Sequence, residues 1–363
     1  MAKKKSIKSI KFNKQTAICL VAIAVILACL VAICFSPVGE AIIASLSTDD
    51  GSNNATPPPA TIVGLGSNVE INGSVVLSNI QFEAHFIDVG QGDAIVLRFS
   101  DGNDWIIDAG SGTSEKSAIT TEYINYLTSI GITEIDYMVA THLHSDHMNM
   151  MDNVLDSFVV KNVYYNAEDS TTAYFNDFKD KLSAETGVNV VQFDADGDTY
   201  SFSGANYSIT IYAPGHDRFE DTNYMSPMVM VEVEGVQMLF TGDNEEDVEK
   251  WFMETYAEED KDIDILKVGH HGSAKGTTTE FLQYFTPEFA VISVGMENGY
   301  NHPTANAMDR LYRENVITYR TNRQGNIVLY VDENGQYAFD VEYDFPAENN
   351  KNGENDKLLV KEK

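Results

Sequence analysis

Between residues 80 and 345 short apolar runs alternate with amphipathic stretches. Residues 82–89 (FEAHFIDV), 94–99 (AIVLRF) and 105–110 (WIIDAG) are separated by Gly-Asp or Asp-Gly pairs, which predicts three early strands joined by turns. The spacing over 117–129 predicts a helix, and YMVAT (137–141) a buried strand that ends in a histidine-rich loop. Later strands are expected at 160–166, 207–214, 228–234, 236–242, 264–269, 289–295 and 327–332, with helices near 172–184, 245–256, 278–285 and 304–313. Strand meanders with helices interposed predict an α/β unit, two sheets covered by helices on their outer faces.

The flanks read differently. Ala17–Phe35 is 19 residues without a charge, long enough to cross the roughly 30 Å hydrocarbon core as one helix. Lys3, Lys4, Lys5, Lys8, Lys11 and Lys14 precede it, and the next basic residue is Arg98. The positive-inside rule then predicts a single-pass anchor, with residues 1–16 cytoplasmic and the rest extracytoplasmic. A cleaved signal peptide competes, because Ile26-Leu27-Ala28-Cys29 loosely matches a lipoprotein cleavage site. Against it, the apolar residues continue to Phe35, past the roughly 7–15 of a signal sequence. Residues 36–79, with Pro57-Pro58-Pro59 among Ser, Thr, Asn and Gly, are expected to form a solvated tether. Residues 346–363 read as a polar, frayed tail.

Composition narrows the function classes. The 363 residues are 43% hydrophobic, enough for a large core. They carry 55 acids against 24 bases, a net charge of -31, and six of those bases precede the apolar run, so the expected domain is more acidic still. Such a surface repels nucleic-acid phosphates unless a local counter-field intervenes. The three cysteines, Cys19, Cys29 and Cys34, all lie in the apolar run, which excludes a disulfide framework, Cys-rich zinc modules and a cysteine nucleophile in the domain. Neither a GxGxxG after a strand, a GxxxxGK[ST] nor a GxSxG elbow is present.

The chemistry concentrates in histidine. Of eight histidines, three fall in Thr141-His142-Leu143-His144-Ser145-Asp146-His147 at the end of a buried strand. Imidazole and carboxylate suit zinc, and a catalytic ion needs about three protein ligands and an open position. His142 and His144, two apart in an extended segment, project to one side and can grip one ion. Asp146 and His147, after the chain turns, can reach a second. Two ions about 3.5–4 Å apart call for a carboxylate between them, and Asp243, at a strand's end in Leu239-Phe240-Thr241-Gly242-Asp243, is the candidate. The histidine share favours zinc; the carboxylates leave manganese open.

HxHxDH followed by a strand-end TGD and a further histidine resembles the metallo-β-lactamase superfamily. FIDVGQGDA (86–94), WIIDAG (105–110), LFTGD (239–243), DILKVGHHGS (264–273) and the later NHP (301–303) resemble the hydrolase domain of ComEC-type competence proteins and the pneumococcal phosphorylcholine esterase. The resemblance covers residues 82–335 and implies an αββα sandwich, here preceded by one transmembrane helix. It implies two divalent metal ions, with His142 and His144 on the first, Asp146 and His147 on the second, and Asp243 shared. His216 resembles the PGH ligand of glyoxalase-like members; the alternative is a surface-loop histidine. One of His270 and His271 would complete the second ion's shell. Adjacent residues at a strand end face opposite ways, so one is expected as ligand and the other as an acid or substrate contact; His270 is favoured as the ligand, with His271 or a water as the acid beside Asp146.

Asp108 is expected to hold the histidine loop through hydrogen bonds, and Asp88 ends the equivalent strand. Gln91 and Asp93 are either substrate-facing or turn residues. Asn223 and Ser226 are candidate polar contacts, Glu245 either faces the site or opens a helix, and His302 either lines the site or caps a loop. Met148-Asn149-Met150 stands where many members have glycines, narrowing the cleft or shifting a helix start. The resemblance implies a binuclear hydrolase of a phosphate ester, most simply a phosphodiester. Its alternatives are a nuclease with nucleic acid as substrate, or a metal-stabilised binding module without turnover. Oligomeric state is not legible.

Overall fold

The computed structural model describes residues 65–71, 75–113, 116–167, 170–193, 197–215, 219, 221–256, 262–296, 298–349 and the backbone of 359–360. His216 and the expected anchor Ala17–Phe35 lie outside them. Among the described residues no helix is long and apolar enough to cross a membrane.

Two sheets lie face to face. The larger runs Leu359–Val360, Gln336–Val341, Ile327–Asp332, Ile80–Phe86, Ala94–Phe99, Asp104–Ala109, Glu134–Val139, Val159–Asn166 and Asn189–Phe193. The smaller runs Ile317–Arg320, Phe289–Ile292, Ile265–Lys267, Val236–Phe240, Met228–Val233, Tyr207–Ala213 and Asp198–Ser203. Alternation sorts the side chains: Ile95, Leu97 and Phe99 enter the core between the sheets, while Val96 faces the outer helices. That central core takes Phe82, Phe86 and Trp105 from one sheet, and Ile211, Val229, Val231 and Phe240 from the other. Helices Lys116–Ser129, Met151–Ser157 and Ala173–Ala184 cover the outside of the larger sheet. Helices Glu246–Tyr256, Thr279–Phe285 and Ala305–Arg313 cover the smaller. The layers are αββα.

Each sheet switches from antiparallel to parallel pairing, and the switch positions the site. Ile80–Phe86, Ala94–Phe99 and Asp104–Ala109 form an antiparallel meander, after which Asp104–Ala109 pairs parallel to Glu134–Val139 and onward to Asn189–Phe193. In the smaller sheet Met228–Val233 and Val236–Phe240 pair antiparallel, then Val236–Phe240, Ile265–Lys267, Phe289–Ile292 and Ile317–Arg320 run parallel. The carboxyl ends of parallel strands gather on one edge, where open α/β sheets place their ligands. Asp108, His142, Asp243, His270 and Ser293 all sit at or just past such ends.

Two expected boundaries move. Val69–Ile71 pairs with Val75–Leu77 as an antiparallel ribbon, whose Val69, Ile71, Val75 and Leu77 pack on Ile80, Tyr330 and Ala338. Ordered structure therefore starts before residue 80, and the tether loses its last residues; the alternating valines were hidden in a polar stretch too short to stand out. At the other end Ala347 enters the central core and Glu348 bridges to Thr318, so the beginning of the expected tail is docked.

Candidate metal centre

The histidine loop is fixed from behind before it points anywhere. Asp108, fully buried and held at a left-handed φ of 59°, accepts hydrogen bonds from Thr141 N at 2.8 Å and Thr141 Oγ1 at 2.7 Å. Its Oδ2 also lies 2.7 Å from His147 Nδ1. Gly110 lets the strand end approach the loop, because a Cβ there would lie 2.2 Å from the Asp146 carbonyl carbon and the His147 nitrogen. Gly242, at φ 51° and crowded by Ser226, makes the turn that delivers Asp243.

Two clusters of donor atoms result, and they share Asp243. The first is His142, His144 and Asp243. His142 Nε2 is 3.0 Å from His144 Nδ1 and 3.8 Å from Asp243 Oδ2. The second is Asp146, His147 and His271. His147 Nε2 is 3.2 Å from His271 Nε2 and 3.1 Å from Asp243 Oδ1, and His271 Nε2 is 3.5 Å from Asp146 Oδ2. Asp243 thus turns one oxygen to each cluster.

The donor chemistry fits cations. His147 Nδ1 faces the Asp108 carboxylate and His271 Nδ1 faces the Ser293 carbonyl at 2.9 Å; both partners only accept, so both Nδ1 atoms carry hydrogen. In the neutral rings the two Nε2 lone pairs then confront each other, an arrangement satisfied by a shared cation and by no hydrogen bond between them. Asp243 Oδ1 and Asp93 Oδ1 are buried with no hydrogen-bond donor, a cost that a cation removes. Without one, protons take its place. Burial opposes charge on His147, yet Asp243 and Asp108 hold its pKa well above the ordinary value, and Asp243 and Asp146 raise His271 against burial in the same way. Burial and the His147 charge push His142 well below it. Asp243 and Asp146 stay depressed despite burial because of the neighbouring imidazoles.

One assignment is reversed. His271, not His270, joins the second cluster; His270 Nδ1 instead meets Glu245 Oε1 at 2.7 Å, and its Nε2 stops 3.7 Å from Asp243 Oδ2 with the side chain 23% exposed. The expectation assumed a strand end, where neighbours alternate. Both residues are left-handed, at φ 45° and 51°, so the alternation does not apply.

The other candidates divide. Ser226 Oγ lies 3.2 Å from His142 Nδ1 and accepts from Asp243 N at 3.2 Å. Glu245 is buried and accepts from Tyr224 Oη at 3.0 Å. Asn223 is buried nearby with its Oδ1 unpartnered. His302 packs edge-on to His270 at 5.4 Å, its pKa pushed down to about 4 by burial and by the charges of His270 and His271. Gln91 is buried and accepts from Gly295 N, so it joins loops and does not face a cleft. Asp93 is buried inside the centre. Asp88 is exposed and accepts from Gly90 N at 3.0 Å, away from the clusters. Met148 and Met150 are buried in the core beneath the larger sheet and narrow nothing. His85 is buried between Tyr126 and Glu83. The sequence reading passed over Lys267, whose Nζ is 2.9 Å from Asp93 Oδ2; its one signal was a lysine inside the apolar run DILKVG.

Residues 87–223 match the family model described as the metallo-beta-lactamase superfamily. The chain is 27% identical over 279 residues to ComE operon protein 3 of Bacillus subtilis (strain 168), covering 72% of this chain and 35% of that protein. It is 28% identical over 251 residues to Recombination protein 2 of Haemophilus influenzae, covering 69% and 29%. The chain therefore spans about a third of the length of these curated relatives. Among solved structures it resembles Igni18, a metallo hydrolase from the archaeon Ignicoccus hospitalis, with a TM-score of 0.40 at 14% identity over 67% of this chain and 98% of that one.

Proposed function

We propose that this chain, a metal-dependent hydrolase of the metallo-β-lactamase superfamily, cleaves a phosphodiester with two divalent ions, on the outer face of a membrane to which Ala17–Phe35 tethers it. The observation that carries the reading is Asp243, which offers one oxygen to each of two donor clusters. His142, His144 and Asp243 would hold one ion, and Asp146, His147, His271 and Asp243 the other, zinc by preference and manganese as the alternative. When bound, such ions neutralise phosphoryl oxygens and bring the pKa of water toward neutrality.

The residues supply the rest. Asp146, with its side chain 18% exposed while His271 beside it is 1%, is placed to orient the attacking water. His270 takes the acid role first expected of His271. Its Nδ1 is engaged by Glu245, which fixes the ring, and its Nε2 stands beside Asp243 on a side chain 23% exposed, where a leaving oxygen would need a proton. The relatives' names, a ComE operon protein and a recombination protein, favour a second reading in which the phosphodiester is nucleic acid. The net charge of -31 weighs against it.

The test is to reconstitute the chain with zinc or manganese and assay bis-p-nitrophenyl phosphate, p-nitrophenyl phosphorylcholine, single-stranded DNA and nitrocefin. The expected result is phosphodiester hydrolysis that chelation abolishes and metal restores. Turnover of nitrocefin alone would sink the phosphodiester reading, and cleavage of DNA alone would select the second. Protease added to intact cells should remove the domain if the proposed topology holds; a protected C-terminal epitope reverses it.

A further inference from the structure

Lys267 is a charged side chain, 1% exposed, in the middle of the centre. It lies on the strand Ile265–Lys267 that leads into His270 and His271, and its own carbonyl accepts from Thr241 Oγ1 at 2.8 Å, tying it to the turn before Asp243. Its Nζ donates to the Val268 carbonyl at 2.9 Å and pairs with Asp93 Oδ2 at 2.9 Å.

Asp93 stands behind both imidazoles of the second cluster. Its Oδ1 is 3.5 Å from His271 Nδ1, and its Oδ2 is 4.0 Å from His147 Nδ1. Its backbone N donates to the Asp146 carbonyl at 2.9 Å and its carbonyl accepts from Gly110 N at 3.0 Å, so one residue touches the supports of three donor groups. Asp93, Asp108 and His147 form a third cluster, two buried carboxylates around the His147 Nδ1. That cluster already has a cation against it, the lysine.

We propose that Lys267 is a resident counter-cation: paired with Asp93, it stands against the third cluster and sets how tightly the Asp146–His147–His271 cluster holds its ion. Lys267 and Asp93 act as positioning residues, and the proposal rests on the reading of two cation clusters. The charge logic gives opposite signs for the two partners. Removing the carboxylate leaves an unpaired ammonium beside the second cluster, which repels a divalent ion. Removing the ammonium leaves an extra buried carboxylate, which attracts one. Removing both restores the original charge.

The experiment is a cycle of Asp93→Asn, Lys267→Met and the double variant in the full chain, read two ways. Zinc titration against a chromophoric chelator should show the second zinc bound roughly ten- to a hundredfold more weakly in Asp93→Asn, the span typical of residues behind a ligand. Its first zinc should be little changed. Lys267→Met should hold the second zinc at least as tightly as the wild type, and the double variant should return near it. Melting of the chelated, ion-free proteins should show each single change destabilising and the double recovering much of the loss. The proposal is overturned by an unchanged second affinity in Asp93→Asn, by a double variant as weak as Asp93→Asn, or by additive losses in melting. If Lys267→Met does not fold, the double variant still decides. If the wild type binds no zinc, the two-ion reading fails by itself and the ion-free cycle still tests the pair.

Discussion

Two turns bring histidines to one centre by different backbone devices. The loop Thr141–His147 leaves its strand extended, so His142 and His144 project together, and a short helix over Ser145–Met148 then turns Asp146 and His147 inward. The turn at His270–His271 instead places two consecutive residues in the left-handed region, where non-glycine residues are uncommon. The holds differ too. His147 is oriented by the buried carboxylate of Asp108, whereas His271 is oriented by the neutral Ser293 carbonyl. Side-chain direction can be read from spacing where the backbone is regular, and the first loop is regular where it matters. The second is not.

The largest effect should come from the residue both turns depend on. Asp243→Ala removes an oxygen from each cluster and leaves their cations without the carboxylate between them. Since even residues behind a ligand cost about ten- to a hundredfold in metal affinity, loss of this one should exceed about a hundredfold for either ion and abolish turnover. Metal content and activity after reconstitution check it. Retention of both ions would mean that the two turns do not meet at Asp243.

Next, His271→Ala and His270→Ala separate the two members of the left-handed turn. His271→Ala should lose the second ion and keep the first. His270→Ala should keep both ions while kcat falls roughly 10²–10⁴-fold, the share usually assigned to a general acid. The opposite pattern would restore the strand-end alternation and remove the contrast between the two turns.

Asp108→Ala sharpens the difference in holds. It strips acceptors from Thr141 N, Thr141 Oγ1 and His147 Nδ1, all buried, and each unpaired buried group costs about 1–3 kcal/mol. Melting temperature and second-ion affinity should therefore fall together. An activity loss with unchanged melting would make Asp108 a purely chemical residue.

What the sequence disclosed follows the same line. Strands such as Ala94–Phe99 and Met228–Val233 alternate between the central core and the outer layers, and helices such as Glu246–Tyr256 and Ala305–Arg313 fall within a residue of their expected spans. His142 and His144 fall in one cluster and Asp146 and His147 in another, as the loop's spacing implied, and Asp243 meets them from the strand end that made it a candidate. Lys267 escaped notice because a lysine in an apolar run reads as a snorkelling edge residue until its carboxylate is seen across the fold. Asp93 stood as either a substrate-facing or a turn residue, because an aspartate after Gly92 fits a turn equally well. Their pairing joins positions far apart in the chain, which no local pattern records. The short ribbon at Val69–Leu77 was missed because its few apolar positions lie in polar surroundings.

The smallest effect concerns what braces the second turn from outside. Glu249 is buried on the helix Glu246–Tyr256 and accepts from Thr277 N, from Thr278 N at 3.0 Å and from Thr278 Oγ1 at 2.8 Å. Arg310 donates to the carbonyls of Ser273, Thr277 and Gly276 from the other side. Burial raises the Glu249 pKa from 4.5 to about 7, against the pull of those hydrogen bonds and of Arg310. Below pH 4.5 the folded and unfolded chains both carry the proton, and this group makes no difference. Between pH 4.5 and 7 the unfolded chain releases it while the folded chain keeps it, so stability falls as pH rises through that window, by at most about 3 kcal/mol. Above it the loss is constant. Melting curves of wild type and Glu249→Gln, both with chelator, should diverge in that direction. The wild type should lose several degrees relative to the variant on going from pH 5 to 7, because the amide cannot titrate. Parallel curves would show that the brace is ionised throughout, and that the second turn, like the first, is held by a fixed carboxylate.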